Sequence, residues 1–246
     1  MSTYKDTLFA ETLDTVARFT FDEHVVKVFP DMIQRSVPGY EAIIKMIGEM
    51  SERYAQNASN CYDLGCSLGA ASLAMQQSIN AKDCRIIGID NSEAMLNNFS
   101  SLLSEQPKNQ RKIPIELVHA DIQHAPMSNA SVVVLNFTLQ FIPLSDRNEL
   151  IQKIYNSLLP GGILIMSEKV CFEDEAHQNL MTELHHNFKR ANGYSDLEIA
   201  QKRSAIDNVL IPETLEAHRE RFRSAGFLSQ DVWFQCFNFA SMIAIK

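Results

Sequence analysis

Asp63-Leu64-Gly65-Cys66-Ser67-Leu68-Gly69 joins a short apolar run, Cys61 to Leu64, to a helical pattern that reaches Ser78. Glycine at 65 lets the chain turn sharply as it leaves a strand. Small residues at 66 and 67 let a ligand approach the main chain, and Gly69 permits close contact between the next helix and the sheet. Strand, glycine loop and helix in this order open an α/β unit. The loop matches the dinucleotide pattern GxGxxG poorly, because Ser67 replaces the second glycine and Ser72 sits near the third. Asp63 argues the same way: a carboxylate just before the loop repels a pyrophosphate and favours a ligand bearing an ammonium group.

Outward from the loop the same rhythm continues. Arg85 to Asp90, Ile115 to His119, Val132 to Leu135 and Ile163 to Met166 read as strands. Between them lie a helix capped by Ser92 and another from Asp146 to Leu159, ended by Pro160-Gly161-Gly162. Apolar strands alternating with helices predict a mostly parallel sheet covered on both faces. Pro212 to Ala225 reads as a helix stopped by Gly226. Val232 to Cys236 and Phe239 to Ile245, separated only by Phe237-Asn238, predict an antiparallel hairpin at a sheet edge. Residues 1–55 form a predicted helical N-terminal cap, in which Val37-Pro38-Gly39-Tyr40 turns into a helix carrying Ile43, Ile44, Ile47 and Met50. Residues 56–246 form the ligand-binding domain. Its stretch 170–211 is polar, helical and strandless, too long for a plain crossover, and reads as a lid or an interface element.

Polar residues recur where these strands end. Asp90 lies 21 positions after Gly69, where a carboxylate accepts two hydrogen bonds from a ribose diol, and Asn91 follows it. Asp121, after the third strand, suits an exocyclic adenine amine, and Ile122 suits the face of the ring. Asn136 ends the fourth strand. Either Asp63 or Asp90 alone fits a helix cap or a solvated loop equally well; the ordered set is what points to a nucleoside site. With Gly65, Cys66 and Ser67 these form the candidate binding set.

Composition narrows the function classes. The chain has 246 residues, 46% of them apolar and 21% charged, and a net charge of −8 from 22 basic and 30 acidic side chains. An acidic surface without a basic run disfavours nucleic-acid binding. The five cysteines, 61, 66, 84, 171 and 236, share no CxxC spacing, which argues against a zinc site and against a disulfide framework. The polar start from Met1 to Glu11 and the absence of a bilayer-length apolar run predict a reduced, soluble, cytoplasmic protein. His185-His186 looks like a ligand pair, but adjacent helical residues point apart, so no metal is expected there. Cys66 reads as a small residue, not a nucleophile, and the aromatics around Trp233 as sheet packing.

The run from Cys61 to Glu168 resembles the class I S-adenosylmethionine-dependent methyltransferases. Asp90 stands at that family's nucleotide-sugar acid, and Leu158-Leu159-Pro160-Gly161-Gly162 resembles the turn before its fifth strand. The resemblance implies a Rossmann-like fold with a seven-stranded sheet. Ser36 to Tyr40, Asp63 to Ser67, Val133 to Phe141, Phe188 to Ser195 and Trp233 to Phe239 closely resemble the carboxy-S-adenosylmethionine synthase family, over nearly the whole chain.

That resemblance implies that S-adenosylmethionine is a substrate. Prephenate would donate a carboxyl group to its sulfonium methyl through an ylide, giving phenylpyruvate and a carboxylated nucleoside for wobble-uridine modification of tRNA. It also implies that Tyr40 touches S-adenosylmethionine from the cap, and that Arg203, in Ala200-Gln201-Lys202-Arg203, grips the product carboxylate in its own or a neighbouring subunit's site. Lys169 and Arg190 are further candidates for anion contacts, a homodimer is expected, and no base is assigned. An ordinary methyltransferase acting on a small acid or tRNA, and a non-catalytic S-adenosylmethionine-binding protein, stand as the alternatives. Asn136-Phe137-Thr138-Leu139 replaces the Asn-Pro-Pro-Tyr motif of amino methylases, which weakens nucleic-acid amino methylation.

Overall fold

Strands β1 (Asn60–Leu64), β2 (Arg85–Asp90), β3 (Ile115–His119), β4 (Ala130–Asn136) and β5 (Leu158–Lys169) lie parallel in the spatial order β3-β2-β1-β4-β5. β6 (Ser229–Cys236) and β7 (Phe239–Ile245) form the expected hairpin. β7 inserts between β5 and β6, antiparallel to both, and β6 takes the edge. The computed structural model describes residues 4–12, 19–107, 113–207 and 209–246. Residues 1–3 and 13–18 of the predicted cap therefore lie outside the described residues.

Why the sheet is buried on both faces follows from β4. Its side chains alternate, and both sets are apolar. Val133 and Leu135 join Tyr62, Leu64, Leu164 and Met166 on one face, under α5 (Leu144–Ser157) and α8 (Leu215–Ala225), which supply Leu150, Ile151, Ile154 and Phe222. Val132 and Val134 join Cys61, Ile86, Ile163 and Ile165 on the other, under α2 (Tyr40–Tyr54) and α3 (Ala70–Ser78), which supply Ile43, Ile47, Ala71 and Met75.

Alternation also orients the strand ends. Asp63, Asp90, Asn136 and Lys169 each sit an even number of residues beyond a side chain of the second face: Cys61, Ile86, Val134 and Ile165. All four therefore leave the sheet on the same side, at its carboxyl edge, where open α/β sheets bind ligands.

Three helices roof that edge. α1 (Glu23–Ser36) starts on an Asp22 cap and runs on through Pro30. α6 (Glu175–Ala191) and α7 (Asp196–Ile206) lie within the 170–211 stretch, and α7 begins with a reciprocal Ser195–Glu198 capping box. A small apolar cluster of Phe19, Val25, Val26, Met32 and Ala205 ties this roof to Met95 of α4 (Glu93–Glu105). Where the stretch returns to the body, the fully buried Arg147 donates to the carbonyls of Gln140, Ile142 and Ile211 and to Glu213. Arg221 donates to the other Glu213 oxygen at 2.7 Å.

One boundary differs from the sequence reading. The helix before the fifth strand ends at Ser157, and Pro160-Gly161-Gly162 lies inside β5. Gly161 N donates to Lys246 O and Lys246 N to Gly162 O, so this corner is held by strand pairing with the chain's last residue.

Candidate functional site

A cavity of about 610 Å³, within the usual range for small-molecule sites, opens at the carboxyl edge between the sheet and the helical roof. Tyr40, Gly65, Cys66, Ser67, Asp90, Asn91, Ile122, Asn136 and Arg203 line it together. The loop is shaped as its glycine suggests. Gly65 has φ +77°, and a methyl there would overlap Thr138, so the backbone needs glycine at this point. Gly69 also has positive φ, but its tight neighbour is the Phe99 ring of α4, not the sheet.

Asp90 is doubly fixed: Ser67 N donates to Oδ2 and Ser92 N to Oδ1, both at 2.8 Å. Burial pushes its pKa up, and these amides pull it back. Each oxygen keeps a lone pair for a further donor. Asn91 lines the cavity, whereas Asp121 does not. Asp121 sits just behind it, its Oδ1 accepting from Asn91 Nδ2 at 2.9 Å.

Asp63 is buried, and its Oδ2 is occupied by Ser72 N at 2.9 Å and Ser72 Oγ at 2.6 Å; burial raises its pKa to about 6. Part of its role is thus to hold the first turn of α3. The Asn136 Oδ1 atom is buried and has no hydrogen-bond partner among the described residues. Such an atom costs free energy unless a donor fills the site, and a polar ligand supplies one. Beside it Phe137 adopts φ +61°, a strained conformation for a bulky residue of the kind that collects at functional sites. The Phe137 ring lies 6.4 Å from the Tyr40 ring. Burial, and then the charge of Asp63, drive the Tyr40 pKa up, so its hydroxyl remains a donor.

The opposite wall is basic. Lys169, Lys189, Lys202, Arg203, His185 and His186 all reach the cavity from β5, α6 and α7. Burial lowers the pKa of Lys169, and the Arg203 charge lowers it further. Lys189 falls to about 8 and Lys202 to about 7, each mainly through burial. Lys202 Nζ sits 3.6 Å from the centroid of Phe19 and 3.0 Å from Met32 Sδ. His185 Nε2 donates to Ser36 O at 2.8 Å, and burial lowers its pKa to about 3. Its ring is therefore neutral, and the pKa of His186 is also lowered, by burial and then Lys189. Both histidines line the cavity, with ring centroids 6.2 Å apart. Arg190 does not reach it; its Nε donates outward to Asp196 at 2.7 Å. Among the described residues no group of three His, Cys, Asp or Glu is placed to hold a metal ion.

Much of this basic wall escaped the sequence reading. Gln178, Thr182, His185 and Lys189 follow helical spacing of four, three and four, a polar stripe on one face of α6. That stripe was the available signal, and it turns inward because the roof covers a cavity. The aromatic lining of Phe19, Phe21, Phe29 and Phe141 comes from three separate segments with no shared spacing.

Comparison with known proteins fits this geometry. The family model described as a methyltransferase domain matches residues 61–162. The carboxy-S-adenosyl-L-methionine synthase of Geobacter sp. (strain M21) is 58% identical over all of both chains. The protein of that name from Aliivibrio fischeri (strain MJ11) is 57% identical over 98% of each.

The chain belongs to the carboxy-S-adenosyl-L-methionine synthase family. Solved structures agree on the fold. An S-adenosyl-L-methionine-dependent methyltransferase from Methanococcus maripaludis superposes with a TM-score of 0.60 at 20% identity, over 94% of this chain and 96% of that one. Human N-acetylserotonin methyltransferase, solved in complex with SAM, gives 0.60 at 15% identity, over 91% of this chain and 55% of that one. This member of the carboxy-S-adenosyl-L-methionine synthase family is thus a transferase on a Rossmann-like methyltransferase fold. Among the described residues no helix is long and apolar enough to cross a membrane.

Proposed function

We propose that the protein makes carboxy-S-adenosyl-L-methionine from S-adenosylmethionine and prephenate, releasing phenylpyruvate. The observation that carries this reading is the polarity of one cavity: it is lined by Asp63 and Asp90, by Lys169 and Arg203 with no ion pair among the described residues, and by Asn136, whose Oδ1 is unsatisfied among them. Such a site suits a cationic nucleoside and an anionic partner at once.

The ribose diol binds Asp90. Asn91, held by Asp121, and Ile122 frame the adenine. Asp63, Tyr40, Asn136 and the Gly65–Ser67 backbone hold the amino-acid half and the sulfonium. Arg203 forms no ion pair among the described residues, and it lines the cavity of its own chain. It receives the carboxylate that is transferred.

The chemistry balances without a metal or an oxidant. Prephenate loses carbon dioxide as its ring aromatises to phenylpyruvate, and its ring hydroxyl leaves. The sulfonium methyl gives up a proton, so that hydroxide and proton together depart as water. The resulting ylide forms a carbon–carbon bond to the carbon dioxide. The adjacent sulfonium charge stabilises the carbanion, and a closed roof keeps bulk water from quenching it.

The acidic surface, with a net charge of −8, fits an enzyme that acts on a free nucleoside and leaves tRNA to a later enzyme of wobble-uridine modification. We place residues 1–55 and 170–211 as cover and 56–246 as the binding domain, in a cytoplasmic homodimer. Incubating the protein with S-adenosylmethionine and prephenate, then weighing the nucleoside, tests the reading. Carboxylated nucleoside with phenylpyruvate supports it. S-adenosylhomocysteine would make the protein an ordinary methyltransferase, and unchanged nucleoside a binding protein.

A further inference from the structure

We infer that Lys169 is a second anchor for the anionic co-substrate, set beside Arg203 so that the site selects a dicarboxylate over a monocarboxylate. The inference rests on the reading above and deepens it.

Sheet register supplies the first argument. Asp90, Asp63, Asn136 and Lys169 stand at the carboxyl ends of four neighbouring strands, β2, β1, β4 and β5, on one face. Asn136 pairs with Ser167, so Lys169 lies one strand over and two residues further out. If the nucleoside spans the two acids and the amide, the next position along this edge is Lys169, and its ammonium meets whatever sits beyond the sulfonium.

Partner bookkeeping supplies the second. Among the described residues, Lys169 Nζ has no hydrogen-bond acceptor and no ion pair. Its backbone N–H donates to Gln140 Oε1, which fixes the strand end but leaves the ammonium unmatched. Asp207 is the acid whose field it feels, and the two form no ion pair. The neighbouring lysines are differently employed. Lys202 rests on Phe19 and Met32, and Lys189 lies 5.2 Å from the Tyr194 ring centroid, within the fields of Asp6 and Glu198. A desolvated ammonium facing a cavity without an acceptor is costly in the empty protein and is satisfied by an incoming carboxylate.

Lys169 and Arg203 line the same cavity, and burial first and the Arg203 charge second lower the Lys169 pKa, so two like charges share one site with no ion pair to either among the described residues. One carboxylate neutralises one of them; a dianion neutralises both. The dianionic co-substrate of the proposed reaction has that charge, whereas the nucleoside and the monoanionic product do not. The mismatch with the product also favours its release.

The test uses Lys169→Met and Lys169→Arg in the full chain, with S-adenosylmethionine affinity measured by calorimetry and carboxylated nucleoside by mass. Lys169→Met should raise the KM for prephenate about 10- to 100-fold while S-adenosylmethionine Kd stays within about threefold. Lys169→Arg, which keeps the charge, should recover most of that loss. Phenylpyruvate, which keeps the carboxylate left for Lys169 once Arg203 takes the transferred one, should inhibit Lys169→Met with a Ki raised by a similar factor. An unchanged prephenate KM in Lys169→Met, with nucleoside binding intact, would overturn this inference while leaving the proposed reaction standing. No carboxylated nucleoside from the wild type would instead remove the reaction itself. Equal loss of nucleoside and prephenate binding, not rescued by arginine, would reduce Lys169 to a structural role.

Discussion

Replacing Asp90 with asparagine separates its structural work from its proposed contact with the ribose. In the folded chain, Ser67 N and Ser92 N each give a 2.8 Å hydrogen bond to a different carboxylate oxygen. Asparagine retains one oxygen, so one amide keeps its acceptor and the other meets an NH₂ group. Leaving one partly buried N–H unpaired costs about 1–3 kcal/mol. For a chain of this length that is a fall in Tm of roughly 2–10 °C. Binding suffers separately. Two hydroxyls bonded to an ionised acceptor contribute about 1.5–3 kcal/mol each, and the amide keeps part of that. A net loss of about 2–3 kcal/mol predicts a Kd for S-adenosylmethionine roughly 30- to 150-fold weaker. Calorimetry at saturating folded protein, beside thermal melts of the free chain, reads both effects. A variant with a lowered Tm whose Kd remains within threefold of wild type would refute the ribose assignment and leave Asp90 as a loop brace alone.

The other expectations follow from neighbouring geometry. Arg203→Ala should abolish the carboxylated nucleoside yet spare S-adenosylmethionine binding, because the exposed guanidinium touches neither the glycine loop nor Asp90; equal loss of both would count against its role. Gly69→Ala places a methyl into the Phe99 ring at a residue with φ +81°, and should cost about 2–4 kcal/mol by denaturant unfolding, partly restored by adding Phe99→Leu. His218 is buried, Arg221 donates to its Nδ1 at 3.1 Å, and burial followed by that charge lowers its pKa to about 4. The folded pKa lies below the unfolded 6.5, so this stability is present above pH 6.5 and is lost as the pH falls toward 4. At pH 5 the loss is about 2 kcal/mol. Melts at pH 7 and pH 5 should therefore converge in His218→Asn relative to wild type, and parallel shifts in the two proteins would remove the imidazole as the cause.

How much of this was legible in the sequence depends on where each signal is stored. The strands were, because β1, β2, β4 and β5 are largely apolar on both faces, which only a sheet covered on both sides can bury. The placement of Asp63, Asp90 and Asn136 at one edge was as well, since they lie at the ends of those strands and the glycine loop fixes which edge they share. The hydrogen bond from Asn91 to Asp121 was not legible, because proximity to a strand end does not reveal a side chain's partners. The end of α5 misled for a related reason. Pro160-Gly161-Gly162 is a strong stop signal, yet the stop falls at Ser157 because β5 begins early, Leu158 pairing with Ala130 of β4 and Gly161 bonding to Lys246, partners that are distant in sequence. The basic wall was the least legible. His185, Lys189 and Lys202 have ordinary helix-surface spacing, and only the docking of α6 and α7 over the sheet makes their faces interior.

Glu168 and Lys169 show how one strand end serves both the scaffold and the site. Successive side chains on β5 leave opposite faces, so Glu168 follows Leu164 and Met166 while Lys169 follows Ile163 and Ile165. On its face Glu168 accepts from Leu139 N at 2.8 Å and Gln140 N at 2.9 Å, holding the 3₁₀ turn Leu139–Phe141 beneath the cavity. Burial raises its pKa to about 8, against the pull of those amides and of Arg147. Gln140 then returns the contact, its side-chain oxygen accepting from Lys169 N at 3.0 Å and its side-chain nitrogen donating to Phe137 O. A closed circuit of backbone and side-chain bonds thus connects Asn136 and Phe137, the turn, and Lys169. The two ends proposed above for nucleoside and anion are therefore set by one rigid piece of the sheet, while α7 brings Arg203 from the roof. Reactive partners that must meet within bonding distance are better placed by such a floor than by two independent loops.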